Sequence, residues 1–146
     1  MNLETPRLIL RPWTIEDLPA FERISNDQDV ADFTASFVYP QPEGWAKERL
    51  ERKIGAQGTG SYSFAVIWRE TLEIVADVNI GLELKRARGE LGYMCDRDWR
   101  GRGIVPEAVR ALNVWAFANL ELKHSSLSFP TQSSLGPGAR EGWTAM

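Results

Sequence analysis

The feature that most constrains this chain is a strand–loop–helix unit running from Glu90 to Asn119. Its centre reads Arg100-Gly101-Arg102-Gly103-Ile104-Val105-Pro106-Glu107. A glycine-rich turn that leaves a strand and opens a helix can bind phosphate. Free amides at a helix start converge on an anion, and the helix dipole favours negative charge there. Glycines allow close approach of the backbone and positive φ. Arg100 and Arg102 add donors for phosphate oxygens, and Pro106 fits the first helical turn, where its missing amide is no loss. The competing reading is a tight turn with two solvated arginines, because short glycine motifs recur without ligands. The strand before and the helix after tilt the balance toward a site.

The rest of the pattern is that of one mixed α/β layer structure, an α+β mixed sheet with antiparallel hairpins in its middle. Pro6 to Arg11 forms a short apolar strand. Thr14 can cap a helix whose apolar stripe is Leu18, Phe21 and Ile24, with Glu16 and Asp17 suited to its positive start. Residues Asp29 to Pro40 read as irregular, and a second helix spans Glu43 to Ala56 with Trp45, Leu50 and Ile54 inward. Tyr62 to Trp68 is a covered strand. After it, Ile74, Ala76, Val78, Ile80, Leu82 and Leu84 alternate with Glu73, Asp77, Asn79 and Glu83, a period-two strand signal. Glu90 to Asp96 is the next strand, Pro106 to about Leu120 the last helix, and Lys123 to Phe129 a final short strand. No linker divides the chain, so residues 1–146 read as a single domain, with 1–129 regular and 130–146 an atypical tail.

Composition bounds the partners. A net charge of −3 without a polybasic run gives no broad attraction to nucleic acid or an anionic membrane. No apolar stretch approaches the ~20 residues that span a bilayer, and the start lacks the pattern of a signal peptide. One cysteine and one histidine fall short of a metal framework. A cytoplasmic protein without a metal is therefore expected.

Glu90-Leu91-Gly92-Tyr93-Met94, followed by Trp99 through Ala108, resembles the coenzyme A motif of the GNAT acetyltransferases. Glu4-Thr5-Pro6-Arg7-Leu8-Ile9-Leu10-Arg11, with Asp17-Leu18 after it, is similar to the RimJ/RimL-like subgroup of ribosomal-protein N-terminal acetyltransferases. The resemblance covers roughly residues 3 to 131. It implies the acyl-CoA N-acyltransferase fold and acetyl-CoA as donor. The cofactor's diphosphate would lie at Arg100, Gly101, Arg102, Gly103, Ile104 and Val105, and its pantetheine along Met94, Cys95 and Asp96. It further implies direct attack by a primary amine, from a protein N-terminus or a small molecule, with no acyl-enzyme.

Two departures from the family stand out. Valine at 105 replaces a glycine or alanine and could crowd the diphosphate. Gly136-Pro137-Gly138 interrupts the tail, so the last β-hairpin is expected to be missing. These motivate a second reading, a degenerate coenzyme A-binding or interaction module of weak activity. An open sheet edge would also favour a homodimer or higher oligomer. Glu90 is the candidate proton acceptor, against the plainer role of a solvated strand-end carboxylate. Cys95 reads as a small buried residue rather than a nucleophile, and His124 as structural or exposed. Tyr93 faces away from Glu90. Trp13 and Trp45 are placed to line an acceptor pocket, whereas Trp68, Trp99 and Trp115 pack the core or flank the loop.

Overall fold

The computed structural model describes residues 2–34, 36–83, 88–120 and 124–127. The expected tail at 130–146 lies outside the described residues. Six strands form one sheet in sequence order: β1 (Leu3–Glu4), β2 (Leu8–Pro12), β3 (Ser61–Trp68), β4 (Glu73–Glu83), β5 (Arg88–Cys95) and β6 (His124–Leu127). Every neighbouring pair is antiparallel except β5 and β6, which run parallel. That one parallel pair is made possible by the crossover through α4 (Ile104–Asn119).

Two layers cover the sheet. On one face Phe64, Val66, Val78, Ile80, Leu91 and Tyr93 pack against Ile104, Val105, Ala108, Leu112 and Ala116 of α4. On the other, Ala65 and Met94 meet Phe21 and Ile24 of α1 (Leu18–Ser25), Val30 of α2 (Gln28–Phe33) and Leu50 of α3 (Trp45–Ala56). This is the mixed α/β architecture that the period-two and period-3.6 patterns predict.

Three local expectations are corrected. Residues 28–33 are helical rather than irregular, because the Asp27 carboxylate accepts from the Asp29 amide at 2.8 Å and so caps α2. Helix α4 begins at Ile104, two residues before Pro106, with left-handed Gly103 as its N-cap. Ile74 does not share the face of Ala76. The register slips between Val66 and Ile67, so Val66 pairs with Ala76 but Ile67 with Ile74, and Val75 is the extra residue of a bulge. One inserted residue turns Ile74 toward the α1–α3 layer while Val75 joins the other core.

Candidate active site

The glycine-rich turn sits where β5 hands over to α4. Gly101 and Gly103 have φ of 79° and 75°, a left-handed conformation that an L side chain enters only at a cost. The two reversals swing the chain from the short 3₁₀ turn Arg97–Trp99 into the helix. Ile104 and Val105 occupy the first two helical positions, where an α-helix supplies no internal acceptor for the amide. Neither is served by a side-chain cap from Gly103. The turn therefore presents amides, left-handed glycines and the positive end of a sixteen-residue helix dipole together.

Val105 does not obstruct this surface. Its side chain is 3% exposed and packed into the core cluster, so the crowding expected from its bulk is absent. The recess at the turn is small, about 10 Å³. An anion would lie on the turn rather than inside it. A groove of about 460 Å³ lies elsewhere, between Leu3–Pro6 and the outer face of α4, but its lining is mostly apolar and unsuited to a diphosphate.

The two arginines have different duties. Arg100 donates to the Cys95 carbonyl at 3.1 Å, to Asp29 at 2.8 Å and to Asp27 at 3.1 Å, which ties the turn to α2. Burial pushes the Asp27 carboxyl up, but the Asp29 amide and Arg97 and Arg100 outweigh it and leave the group below its ordinary value. Arg102 is exposed. Its guanidinium lies 4.5 Å from the Trp99 ring centroid and gives one bond to the Asp98 carbonyl. A guanidinium has five N–H donors, so most of Arg102 remains free for a phosphate.

Sequence reasoning missed the brace on the opposite side. Arg7 donates to Glu107 at 2.7 Å and to the Arg102 carbonyl at 3.0 Å, and Thr5 also donates to Glu107. Burial raises the Glu107 carboxyl, and the bonds from Thr5 and Arg7 bring it below its usual range. Arg7 also stacks 5.5 Å from the Trp68 ring, and Trp68 packs on Trp99 at 5.2 Å. Both ends of the turn are thus clamped by distant partners, 71 and 73 residues from Arg100 on one side and 100 residues from Glu107 on the other. Only the charges at 7 and 107 hinted at this in the sequence.

Strand β5 supplies the second half of the site. Among the described residues β6 pairs with Arg88–Leu91 and no further. From there Gly92, Tyr93, Met94 and Cys95 carry β5 on toward the glycine turn. Met94 faces the α1–α3 layer, whereas Tyr93 and Cys95 face α4. Asp96 caps the 3₁₀ turn and pairs with Arg23 at 2.9 Å. Glu90 is exposed and shares the face of Gly92 and Met94, opposite to Tyr93.

Other candidates fall away. Cys95 is 4% exposed, and burial pushes its thiol up to about 12, so it holds its proton and cannot act as a nucleophile at neutral pH. Trp13 is part of the core. It is 4% exposed, meets Phe21 edge-on and donates to buried Asp77 at 2.6 Å. Trp45 is half-buried against Phe37 and Arg49, and Trp115 packs on Tyr62 and Phe64. Among the described residues no cluster of metal-ligating side chains occurs, and no helix is long and apolar enough to cross a membrane.

Comparison with known proteins agrees with this geometry. Residues 7–133 match the family described as an acetyltransferase (GNAT) domain. An uncharacterized N-acetyltransferase, p20, from Bacillus licheniformis is 25% identical over 124 residues, which is 83% of this chain and 68% of the relative. The structure of the ribosomal-protein-S5-alanine acetyltransferase from Vibrio fischeri matches with a TM-score of 0.76 at 20% identity, over 99% of this chain and 81% of that one. RimL, a ribosomal L7/L12 α-N-protein acetyltransferase in complex with coenzyme A, matches with a TM-score of 0.83 at 14% identity, over 97% and 82%. At these identities the two structures speak for the fold.

Proposed function

Because the chain belongs to the GNAT acetyltransferase family, we propose that it moves an acetyl group from acetyl-CoA to a primary amine by direct attack. The observation that carries this reading is the turn between β5 and α4. Two left-handed glycines and a helix start without a side-chain cap lie beside an exposed arginine, all held by ion pairs at both flanks.

In this reading the amides of Gly101 to Val105 grip the diphosphate, and Arg102 supplies a charge-assisted donor. Arg100 acts through its ion pairs with Asp27 and Asp29, which fix the turn. The thioester arm runs along β5 near Met94, Cys95 and Asp96, where strand backbone groups can hold it. The amine must arrive neutral, and its proton leaves as the C–N bond forms. Glu90, on the solvent-open face of β5, accepts that proton directly or through water. The acetyl carbon takes the nitrogen lone pair, the C–S bond breaks, and coenzyme A departs as the thiol.

The acceptor class is a protein N-terminal α-amine or a small-molecule amine, and the protein works as a homodimer or larger species in the cytoplasm. Titration with acetyl-CoA, followed by thiol release across an amine panel, tests the reading. Saturable binding with turnover is expected. Absence of binding at millimolar cofactor sinks it, whereas binding without turnover favours the degenerate module.

A further inference from the structure

On the face opposite α4, a pocket of about 230 Å³ opens beside β3 and β4. Three cations from α3 converge on it, Arg49, Arg52 and Lys53, with Phe37, Ser63 and Asn79 completing the wall. The charges are unevenly matched. Lys53 lies 3.5 Å from buried Asp77 and 3.3 Å from the Ser63 hydroxyl, so its charge is met. Arg52 pairs with Glu48 at 2.7 Å, but both side chains are about two-thirds exposed, so the pair is weak and easily exchanged. Arg49 has no carboxylate partner among the described residues. It is held instead by the Ser36 carbonyl and by the rings of Phe37 and Trp45, at 5.2 Å and 4.8 Å. Burial and then the neighbouring Arg52 lower its affinity for its own proton, and the nearby Glu48 charge offsets them only in part.

The candidate proton acceptor lies on the same face of the sheet, two strands away from the β3 residues that line the pocket. Ser63, Asn79 and Gly92 form one row of cross-strand partners on this face, and Ser61, Gly81 and Glu90 form the next. Gly81 lies between the pocket and Glu90, and a Cβ built there would meet nothing within 4 Å. From β3 to β5 is two strand spacings, or about 10 Å.

We propose that this pocket selects acceptors carrying a carboxylate about 10 Å from the reactive amine. The carboxylate is held by Arg49 and Arg52, and the chain between the two groups crosses Gly81 toward Glu90. The assignment rests on the acetyl-transfer reading above for the amine end only; the cation pocket stands on its own geometry. A short α-amino acid cannot satisfy it, because its carboxylate sits too close to its amine. A peptide N-terminus with an acidic side chain a few residues on can, and so can a long ω-amino carboxylic acid.

The test uses matched pairs: a Ser-Gly-Asp peptide against Ser-Gly-Asn, both amidated at the carboxy terminus, and a long ω-amino acid against its amide. Calorimetric binding to the coenzyme A-loaded protein and acetyl transfer are read separately. The acidic member of at least one pair is expected to bind and react roughly tenfold better, and which pair shows it separates peptide from small acceptor. Arg52→Glu should reduce that preference severalfold, and Gly81→Leu should raise KM with little change in coenzyme A affinity. Equal binding of both members in both pairs, or an Arg52→Glu protein that keeps the preference, overturns the proposal. Binding preference without transfer leaves the pocket standing and removes the transferase reading. Transfer without preference does the reverse.

Discussion

Replacing Gly103 by alanine isolates the backbone requirement of the glycine turn. Gly103 caps α4 at φ of 75°. An added Cβ would stand 3.5 Å from an Arg7 guanidinium nitrogen, which is ordinary contact, so the penalty is conformational and not steric. Holding an L residue in the left-handed region costs about 1–2 kcal/mol. The protein can meet that cost in two ways. If the turn keeps its shape, stability falls by that amount and Tm drops by about 3–6 °C for a chain of this size. If the turn relaxes to negative φ, the amides of Ile104 and Val105 swing away and cofactor affinity falls instead, by roughly tenfold per 1.4 kcal/mol. Thermal melting and calorimetric titration with coenzyme A together read both routes. Gly55→Ala is the matched control, since Gly55 lies inside α3 with open space around its added methyl. The same atoms added there should stabilise by about 0.5–1 kcal/mol and leave affinity unchanged. A Gly103→Ala protein that melts higher and binds coenzyme A undiminished would refute the reasoning.

Three further outcomes follow from individual side chains. Glu90→Gln should lower turnover on the order of a hundredfold, the range of general base catalysis, and leave coenzyme A binding intact; unchanged turnover would assign Glu90 to solvent. Cys95 should resist alkylation in the native state and react only at the rate of unfolding, because its thiol is buried and pushed up to about 12, and Cys95→Ser should retain turnover. Asp17, Asp27 and Glu107 all lie below their ordinary values in the folded state. Between the folded and unfolded values the unfolded chain therefore binds more protons, so their contribution is complete above the unfolded range of about pH 4 and is lost as pH falls through the folded values. Urea midpoints should be level near neutrality and decline in acid, with a smaller decline in Glu107→Gln.

The architecture was legible because its signals are short-range. Alternation along β4 and the 3.6-residue stripe of α4 each declare which face is buried, and the glycine turn declares where strand becomes helix. The bulge at Val75 was not legible, since one extra residue leaves the alternation looking continuous while the facing of Ile74 reverses. Helix α2 was hidden for a related reason. Its six residues are too few for a periodic pattern, and what holds it is a cap at Asp27 together with ion pairs to Arg97 and Arg100. The candidate site divides along the same line. The turn itself announces amides and glycines, but the roles of Arg100 and Arg7 depend on carboxylates some seventy and a hundred residues away. Arg49, Arg52 and Lys53 on α3 drew no reading from the sequence, because their meeting point lies in another layer. Only the placement of α3 against β3 and β4 brings them to one pocket with Ser61, Ser63 and Asn79.

The most direct test is a crystal structure of the protein grown with coenzyme A. The linked phosphates are expected on the turn, within hydrogen-bond distance of amides between Gly101 and Val105, with the Arg102 guanidinium turned onto them and Arg100 still on Asp27 and Asp29. Phosphates bound elsewhere on the surface, with this turn bare, would contradict that expectation.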